Sequence, residues 1–263
     1  MEFGYYRNGP LLNALSSNKS VPGILRQALK AVFRNRTVDV ELEGIKFRCY
    51  PNQNVHDMSI ACATLFEEER EELSFMAKHL EGGGCLVDVG ANIGALSIPL
   101  AVKAKAPLTV LAIEPNPENV KRLRYNAQIN GLRDFIVAAF AAGPSGKAKL
   151  YLHSRANWGK ASLGQVRKSY TSASIDVECR PLLQILDEAD ISSIAVLKID
   201  VEGFEDRVLV PFFNAAPHSL WPAAVSIERM HRGMWAEDCI ELMLRLGYVV
   251  ETATGMNSML RLG

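Results

Sequence analysis

From residue 85 onward the chain alternates short, nearly unbroken apolar runs with longer segments whose apolar residues recur at helical spacing. Apolar runs bounded by Gly, Pro, Asn or Asp read as strands buried on both faces. Strands that alternate with helices read as βαβ units of a parallel sheet. The pattern predicts strands at residues 85–89, 109–113, 135–140, 195–199 and 223–227, and helices over 95–103, 117–130, 182–189, 205–213 and 235–246. Two last apolar runs, 248–252 and 258–262, flank a turn with Gly255 and Asn257 and predict a closing hairpin. Pro117 opens its helix, where a missing N–H costs nothing, and Asn130-Gly131 stops it. Pro99 sits inside 95–103, so a kink or a shortened first turn is expected there.

Before residues 81–84 the pattern is different. Residues 24–33 (ILRQALKAVF) have a helical apolar face with Arg26, Lys30 and Arg34 on other faces, which suits packing on the core or contact with a membrane surface. A strand pair is expected at 38–42 and 45–50, then one long helix or two joined ones over 59–80, with the acidic stretch FEEEREE at 66–72. The organisation is therefore an N-terminal cap region, residues 1–80, and an α/β domain, residues 81–263. Within that domain residues 141–174, rich in Gly, Ser, Ala and Lys, show one clear strand at 148–153 and read as an excursion suited to substrate contacts.

Composition narrows the function classes. The 263 residues are 48% hydrophobic and 22% charged, enough for one sizeable core and too polar for a membrane bundle. Lys plus Arg and Asp plus Glu both number 29, so no overall field draws the chain to nucleic acid, and no nucleic-acid partner is expected. The five cysteines, Cys49, Cys62, Cys85, Cys179 and Cys239, lie far apart among apolar neighbours and lack CxxC spacing, which reads as buried thiols in a reducing compartment. The start, MEFGYYRNGP, is unlike a signal peptide, and no apolar stretch reaches the ~20 residues of a membrane span, so a cytoplasmic location without integral membrane contact is expected.

Three motifs carry the chemistry. In VDVGANIG (87–94) an apolar strand ends in glycines and enters a helix, which aims backbone amides at whatever binds beyond the strand. A dinucleotide loop needs a glycine where Asn92 stands, which argues against a cradled diphosphate. A cofactor with an amino-acid end suits Gly90, Asn92 and Asp88 better, Asp88 holding an ammonium directly or through water. Glu114 closes the next strand 26 positions after Asp88, where an acid accepts hydrogen bonds from both hydroxyls of a ribose. It is otherwise a helix-start acid ahead of Pro117. Together the two motifs indicate an adenosyl cofactor, with Ala91, Gly94, Pro115 and Asn116 completing the set assigned to it.

LKIDVEGFED (197–206) puts Asp200 at the end of a later strand, on the same sheet edge as Asp88 and Glu114 if the strands are parallel. Glu202 and Glu205 follow it, and crowded carboxylates raise one another's proton affinity, as a general base requires. Glu205 and Asp206 also suit the first turn of a helix. SIERMH (226–231) ends the next strand, so Glu228 and His231 face the same cleft, His231 as base or as structural hydrogen-bonder. Trp158, Trp221 and Trp235 read as core or loop anchors, with Trp158, in the excursion, a possible substrate platform.

In order and spacing, VDVGANIG, IEPNPENVKRLRYNAQING (113–131) and LKIDVEGFEDRVL (197–209) resemble the FkbM-type methyltransferases, a branch of the class I enzymes; the likeness covers residues 66–228. The resemblance implies an α/β, Rossmann-like sheet of seven mostly parallel strands in the order 3-2-1-4-5-7-6, with helices on both faces. It implies S-adenosylmethionine as cofactor and O-methylation of a hydroxyl on a sugar, polyketide or related metabolite. It implies that Asp88, Gly90, Asn92 and Glu114 line the cofactor, and that Asp200 serves both cofactor and reaction, with Glu202 near the reacting atoms. The family usually carries an acid roughly 15–20 positions before the glycine loop, for which Glu67 or Glu68 are the candidates. Two positions depart from the family: Pro181-Leu182-Leu183 replaces a Thr-Leu-Asp triplet, with Asp187 a turn later, and no acid follows the third strand in AAGPSG (141–146).

Methyl transfer is an in-line displacement, so the acceptor's lone pair must be aligned behind the methyl group and its proton removed. Asp200, Glu228 and His231 are the candidate bases, with Glu202 orienting the base or the acceptor hydroxyl. The sequence offers no compact set of metal ligands, so metal-independent chemistry on a small-molecule hydroxyl acceptor is expected. The alternatives are an S-adenosylmethionine-binding scaffold without catalysis, and a nicotinamide oxidoreductase, which the glycine spacing disfavours.

Overall fold

The apolar runs fall into place as the centre of a seven-stranded sheet. The structure, a computed structural model, describes residues 2–6, 28, 31–33, 36–152, 161–163 and 174–263. The cap contributes β1 (Val38–Leu42), β2 (Ile45–Cys49), α1 (Val55–Ala61), α2 (Leu65–Glu68) and α3 (Arg70–His79). The α/β part follows with β3 (Gly84–Val89), α4 (Ser97–Lys103), β4 (Leu108–Ile113), α5 (Pro117–Ile129) and β5 (Phe135–Ala138). The excursion holds β6 (Ala141–Ala142), β7 (Gly146–Leu152), β8 (Ala161–Leu163) and β9 (Ser174–Arg180). The chain closes with α6 (Leu182–Glu188), β10 (Val196–Ile199), α7 (Glu205–Ala215), β11 (Ala224–Glu228), α8 (Cys239–Arg245), β12 (Tyr248–Ala253) and β13 (Asn257–Leu262).

The central sheet runs β12-β13-β11-β10-β3-β4-β5. Strands β11, β10, β3, β4 and β5 are parallel, and β13 lies antiparallel between β11 and β12. Numbered in chain order and read from the β5 edge, the seven strands stand 3-2-1-4-5-7-6. Because β3 pairs with both β4 and β10, the winding reverses at β3, and a crevice opens beyond its carboxyl end.

Period-two alternation along the buried strands builds two cores. Leu86, Val110 and Val196 face one side, where they pack with Phe33, Phe47, Ile60, Met76 and Ile98, so cap and sheet share one hydrophobic cluster. Val87, Leu111, Leu197 and Val225 face the other side, against Leu186, Leu209, Phe212 and Met243 of α6, α7 and α8. All five cysteines are free and buried. Among the described residues no helix is long and apolar enough to cross a membrane.

Three expectations change. The segment 59–80 is broken into shorter pieces, because Ala63 takes a left-handed conformation (φ +56°) and Glu69 is non-helical, while the first piece starts earlier, at an Asn54 cap. The amphipathic stretch 24–33 lies largely outside the described residues; Phe33, at its end, is fully buried in the first core. The helix expected at 235–246 begins only at Cys239, because Asp238 caps it through the amides of Ile240 and Glu241. The excursion carries a strand the pattern had hidden: β9 pairs antiparallel with β7, in a separate four-stranded sheet ordered β6-β9-β7-β8. Pro99 is absorbed by a shortened start, one of the two outcomes expected of it: α4 begins at Ser97 rather than 95, which puts Pro99 third in the helix, in its first turn. Trp158 lies outside the described residues; Trp221 packs edge-on to Phe213, and Trp235 donates its indole N–H to Glu205 Oε2 at 2.7 Å.

Candidate active site

A cleft of about 400 Å³ opens where the carboxyl ends of β3, β4, β10 and β11 meet the start of α1, helix α3 and the β12–β13 turn. Its floor is the loop after β3. Gly90, Asn92 and Gly94 all adopt left-handed backbone conformations (φ +84°, +54° and +82°), which curl the chain back on β4: the Gly90 and Ala91 amides donate to the Ile113 carbonyl and the Gly94 amide to the Ala91 carbonyl, so these amides hold the loop rather than face the crevice as expected. The Asn92 amide donates to Glu114 Oε2 at 2.9 Å, and the Asn116 amide to Glu114 Oε1 at 2.8 Å. Asn116 itself caps α5, accepting from the Glu118 amide, so Glu114 is not spent on the helix start and is fixed at the end of β4 facing the cleft. Burial pushes the Glu114 carboxyl up to about 7, against the pull of the Asn116 and Asn92 amides.

Asp88 lines the cleft and is 2% exposed, and its buried Oδ1 has no hydrogen-bond partner. A buried carboxylate oxygen left without a hydrogen bond at the end of the central strand fits a cationic ligand group. The cradle beside it is equally specific, because a β-carbon on Gly90 would lie 2.0 Å from the Asp200 carbonyl oxygen. Both observations fit a cofactor that brings an ammonium and approaches the backbone closely.

Two assigned residues act from behind: Gly94 and Asn116 do not line the cleft, whereas Ala91 and Pro115 do. Glu67 is exposed and away from the cleft. The break at Glu69 turns the next helix so that Glu69 and Glu72 line it instead. Glu72 is 4% exposed and accepts from Ser226 Oγ and from Asn257 Nδ2, each at 2.7 Å, which ties α3 to β11 and β13; burial pushes its carboxyl up to about 7.

The opposite wall is acidic. Asp200 follows β10, Glu202 (φ +56°) turns the loop after it, and Glu228 ends β11. Glu228 Oε2 lies 3.1 Å from His231 Nδ1, and Glu202 Oε2 lies 3.8 Å from the same nitrogen. Burial, with Asp200, Glu202 and Glu205 nearby, holds the Glu228 carboxyl far above the usual carboxylate range. His231 itself is buried and does not line the cleft. Glu205 takes the helix-start role, accepting from the Val201 and Gly203 amides on Oε1 and from Trp235 on Oε2; Asp206 accepts from the Ala236 amide.

Sequence reasoning missed four residues. Asn54 Nδ2 donates to Asn92 Oδ1 at 2.5 Å, and His56 Nδ1 lies 3.2 Å from Asn92 Nδ2, so the cap grips the glycine loop. Glu72 is the third. The fourth is Lys198, whose signal was visible: a lysine within a strand otherwise buried throughout needs a charged partner. Its Nζ stands 3.6 Å from Asp88 Oδ1 and 3.7 Å from Asp200 Oδ2 and donates to the Gly90 carbonyl at 3.4 Å. The sequence offered no compact set of metal ligands, yet Glu202, Glu228 and His231 each bring one potential ligand atom within 4.8 Å of the others, as do Asp200, Glu205 and Glu228.

The family model of the methyltransferase FkbM domain matches residues 88–250. A Bos taurus protein described as a tRNA wybutosine-synthesizing protein 2 homolog is 31% identical over 141 residues, which are 54% of this chain and 29% of that protein; the chain thus spans under a third of that relative's length. Similar solved structures include methyltransferase FkbM from Methylobacillus flagellatus KT, at 17% identity and TM-score 0.44 over 90% of this chain and 58% of that one. M. jannaschii TYW2 in complex with AdoMet is 16% identical, with TM-score 0.40, over 86% of this chain and 87% of that one. The family match spans more than half of the chain and takes in the glycine loop, Glu114, Lys198 and the acidic wall, and by it the chain belongs to the FkbM methyltransferase domain family, a family that uses S-adenosylmethionine.

Proposed function

We propose that the protein methylates a hydroxyl of a small metabolite, such as a sugar or a polyketide, and that Glu228 takes the hydroxyl proton. The observation that carries this reading is the meeting of Asp200, Glu202 and Glu228 beside the glycine loop, with Glu228 held at high proton affinity. Bound S-adenosylmethionine supplies an electrophilic methyl group on a sulfonium centre. Asp88 holds its ammonium, Glu114 accepts from the ribose hydroxyls, and the apolar wall of Ile113, Pro115 and Ala142 flanks the base. A carboxylate with raised proton affinity accepts a proton from an alcohol more readily than an ordinary one. His231 fixes the Glu228 carboxylate, and Glu202 and Asp200 orient the acceptor.

The described cleft lining includes Glu69, Glu72, Asp88, Glu114, Asp200, Glu202 and Glu228 and a single lysine, Lys198. Such a lining repels phosphates, which supports a small acceptor over the RNA named for the bovine relative. Leu150 and Leu163 bring the excursion to the cleft, in keeping with a cap of residues 1–80 and a catalytic domain of 81–263 whose segment 141–174 contacts the acceptor. The buried free thiols support a reducing compartment, and we place the protein in the cytoplasm.

Turnover needs no metal in this reading, because Glu228 is already paired with His231, and Glu205 has both oxygens engaged. Chelator-treated protein given methyl-labelled S-adenosylmethionine and a cell extract is expected to label the small-molecule fraction at the untreated rate. Loss of labelling on chelation would remove the metal-independent reading. Label in tRNA would remove the acceptor class, and binding without any transfer would leave a scaffold.

Cofactor affinity should depend on pH through Glu114. Only its ionised form accepts from both ribose hydroxyls, and it stays protonated up to about 7 in the free protein. Binding of S-adenosylhomocysteine is therefore expected to weaken as pH falls through 7, toward about tenfold per pH unit, with proton release on binding. Calorimetry between pH 5.5 and 8.5 checks this, and a flat profile would take the ribose role from Glu114.

A further inference from the structure

Lys198 is a buried cation that the chemistry above does not use. Its side chain is 9% exposed, on the strand next to β3, and burial alone would discharge it. It is enclosed by acids from several elements: Asp88 at the end of β3, Asp200 after β10, Glu72 of α3, Glu69 ahead of it, and Glu228 at the end of β11. Together those that face it outweigh burial and hold its ammonium well above the usual lysine range. Yet its hydrogen bonding is slight: one long contact to the Gly90 carbonyl, with both nearest carboxylates beyond 3.5 Å. A lysine placed between two carboxylates without closing on either offsets their charge while taking up none of their hydrogen-bonding capacity, as the buried, unbonded Asp88 Oδ1 shows.

We propose that Lys198 is a positioning residue, whose ammonium between Asp88 and Asp200 holds the Asp88 carboxylate in place, unspent in a short ion pair, to meet the cofactor's amino group. The proposal rests on the reading that Asp88 meets that amino group. Without the ammonium, Asp88 faces Asp200 and Glu114 with no cation among them, and crowded buried acids without a cation favour their neutral forms, so affinity for a ligand ammonium is expected to be lost toward low pH and regained toward high pH.

The test is calorimetry of S-adenosylhomocysteine and of 5′-methylthioadenosine, which lacks the amino-acid end, on wild type, Lys198→Met and Lys198→Arg between pH 6 and 8.5. Each S-adenosylhomocysteine affinity is divided by the 5′-methylthioadenosine affinity at the same pH, which cancels the Glu114 effect common to both. In wild type and Lys198→Arg this ratio is expected to stay constant. In Lys198→Met it should fall by about tenfold or more from pH 8.5 to 6. A constant ratio in Lys198→Met, or a uniform loss at every pH, overturns the proposal and leaves Lys198 a packing residue. If wild type binds the two ligands equally, the Asp88 reading fails, and the proposal falls with it. Should Lys198→Met not fold, Lys198→Gln replaces it. If neither neutral variant folds while Lys198→Arg folds with a constant ratio, the requirement for charge stands; if all three fail to fold, the proposal is overturned.

Discussion

Gly90→Ala is expected to abolish cofactor binding and to lower the unfolding temperature by roughly 5–15 °C. At φ +84° any side chain is strained, at about 1–2 kcal/mol, and here the added carbon would also sit 2.0 Å from the Asp200 carbonyl oxygen and 3.0 Å from its carbon. Backbone atoms cannot rotate away as a side chain can, so the loops after β3 and β10 must separate, for a total of about 2–5 kcal/mol with overpacking included. The parting takes place where Asp88, Lys198 and Asp200 hold one another, so the binding geometry goes first. Gly94→Ala is the control: its β-carbon meets Ile98 Cδ1 at 2.5 Å, the end of a flexible side chain, and the damage should be milder. Thermal unfolding and titration with S-adenosylhomocysteine report both effects, and a Gly90→Ala protein that binds normally would mean that the two loops are free to move apart.

Glu228→Gln should act in the opposite way, leaving the fold and the cofactor site intact while turnover falls by about 10²–10⁴-fold, the usual worth of a positioned proton acceptor. The substitution keeps the shape and the contact to His231 but cannot accept a proton. Its effect on stability has a definite sign. The Glu228 carboxyl binds its proton more tightly in the folded chain than in the unfolded one, so stability is full below the ordinary glutamate range, near 4.5, and falls as pH rises from there. The neutral glutamine removes that loss, and the variant is expected to unfold at the wild-type temperature or higher at neutral pH. In wild type the rate should climb with pH as Glu228 ionises. Equal turnover in Glu228→Gln would move the role to Asp200, and Asp200→Asn is the next variant to assay.

Most of the fold was legible because strands buried on both faces must be nearly all apolar, and because Gly90, Asn92 and Gly94 mark a turn that few other residues tolerate. Glu114, at the end of such a strand, could be placed for the same reason. What was not legible depends on how separate segments meet. Glu72 enters the cleft only because the backbone breaks at Ala63 and Glu69 and turns the helix face, which shifted the reading to Glu67. Asn54 and His56 reach Asn92 only through the packing of the cap on the sheet. In β9, Ile175, Val177 and Cys179 alternate with Asp176, Glu178 and Arg180, a half-buried strand pattern masked by polar, glycine-containing surroundings. Glu202, Glu228 and His231 could be named from the ends of two strands, but that their ligand atoms come within 4.8 Å of one another is not revealed by spacing along the chain.

The cleft is expected to join the cofactor's methyl carbon to an oxygen of a small molecule. The most direct measurement is incubation of the protein with S-adenosylmethionine carrying a carbon-13 methyl group and a fractionated metabolite extract, followed by isolation of the labelled product and NMR of the atom to which the methyl carbon is joined. The expected result is a methyl ether on a small metabolite, formed by wild type and nearly absent with Glu228→Gln. A methyl group on nitrogen or carbon, label confined to RNA, or equal product from the two proteins would contradict it.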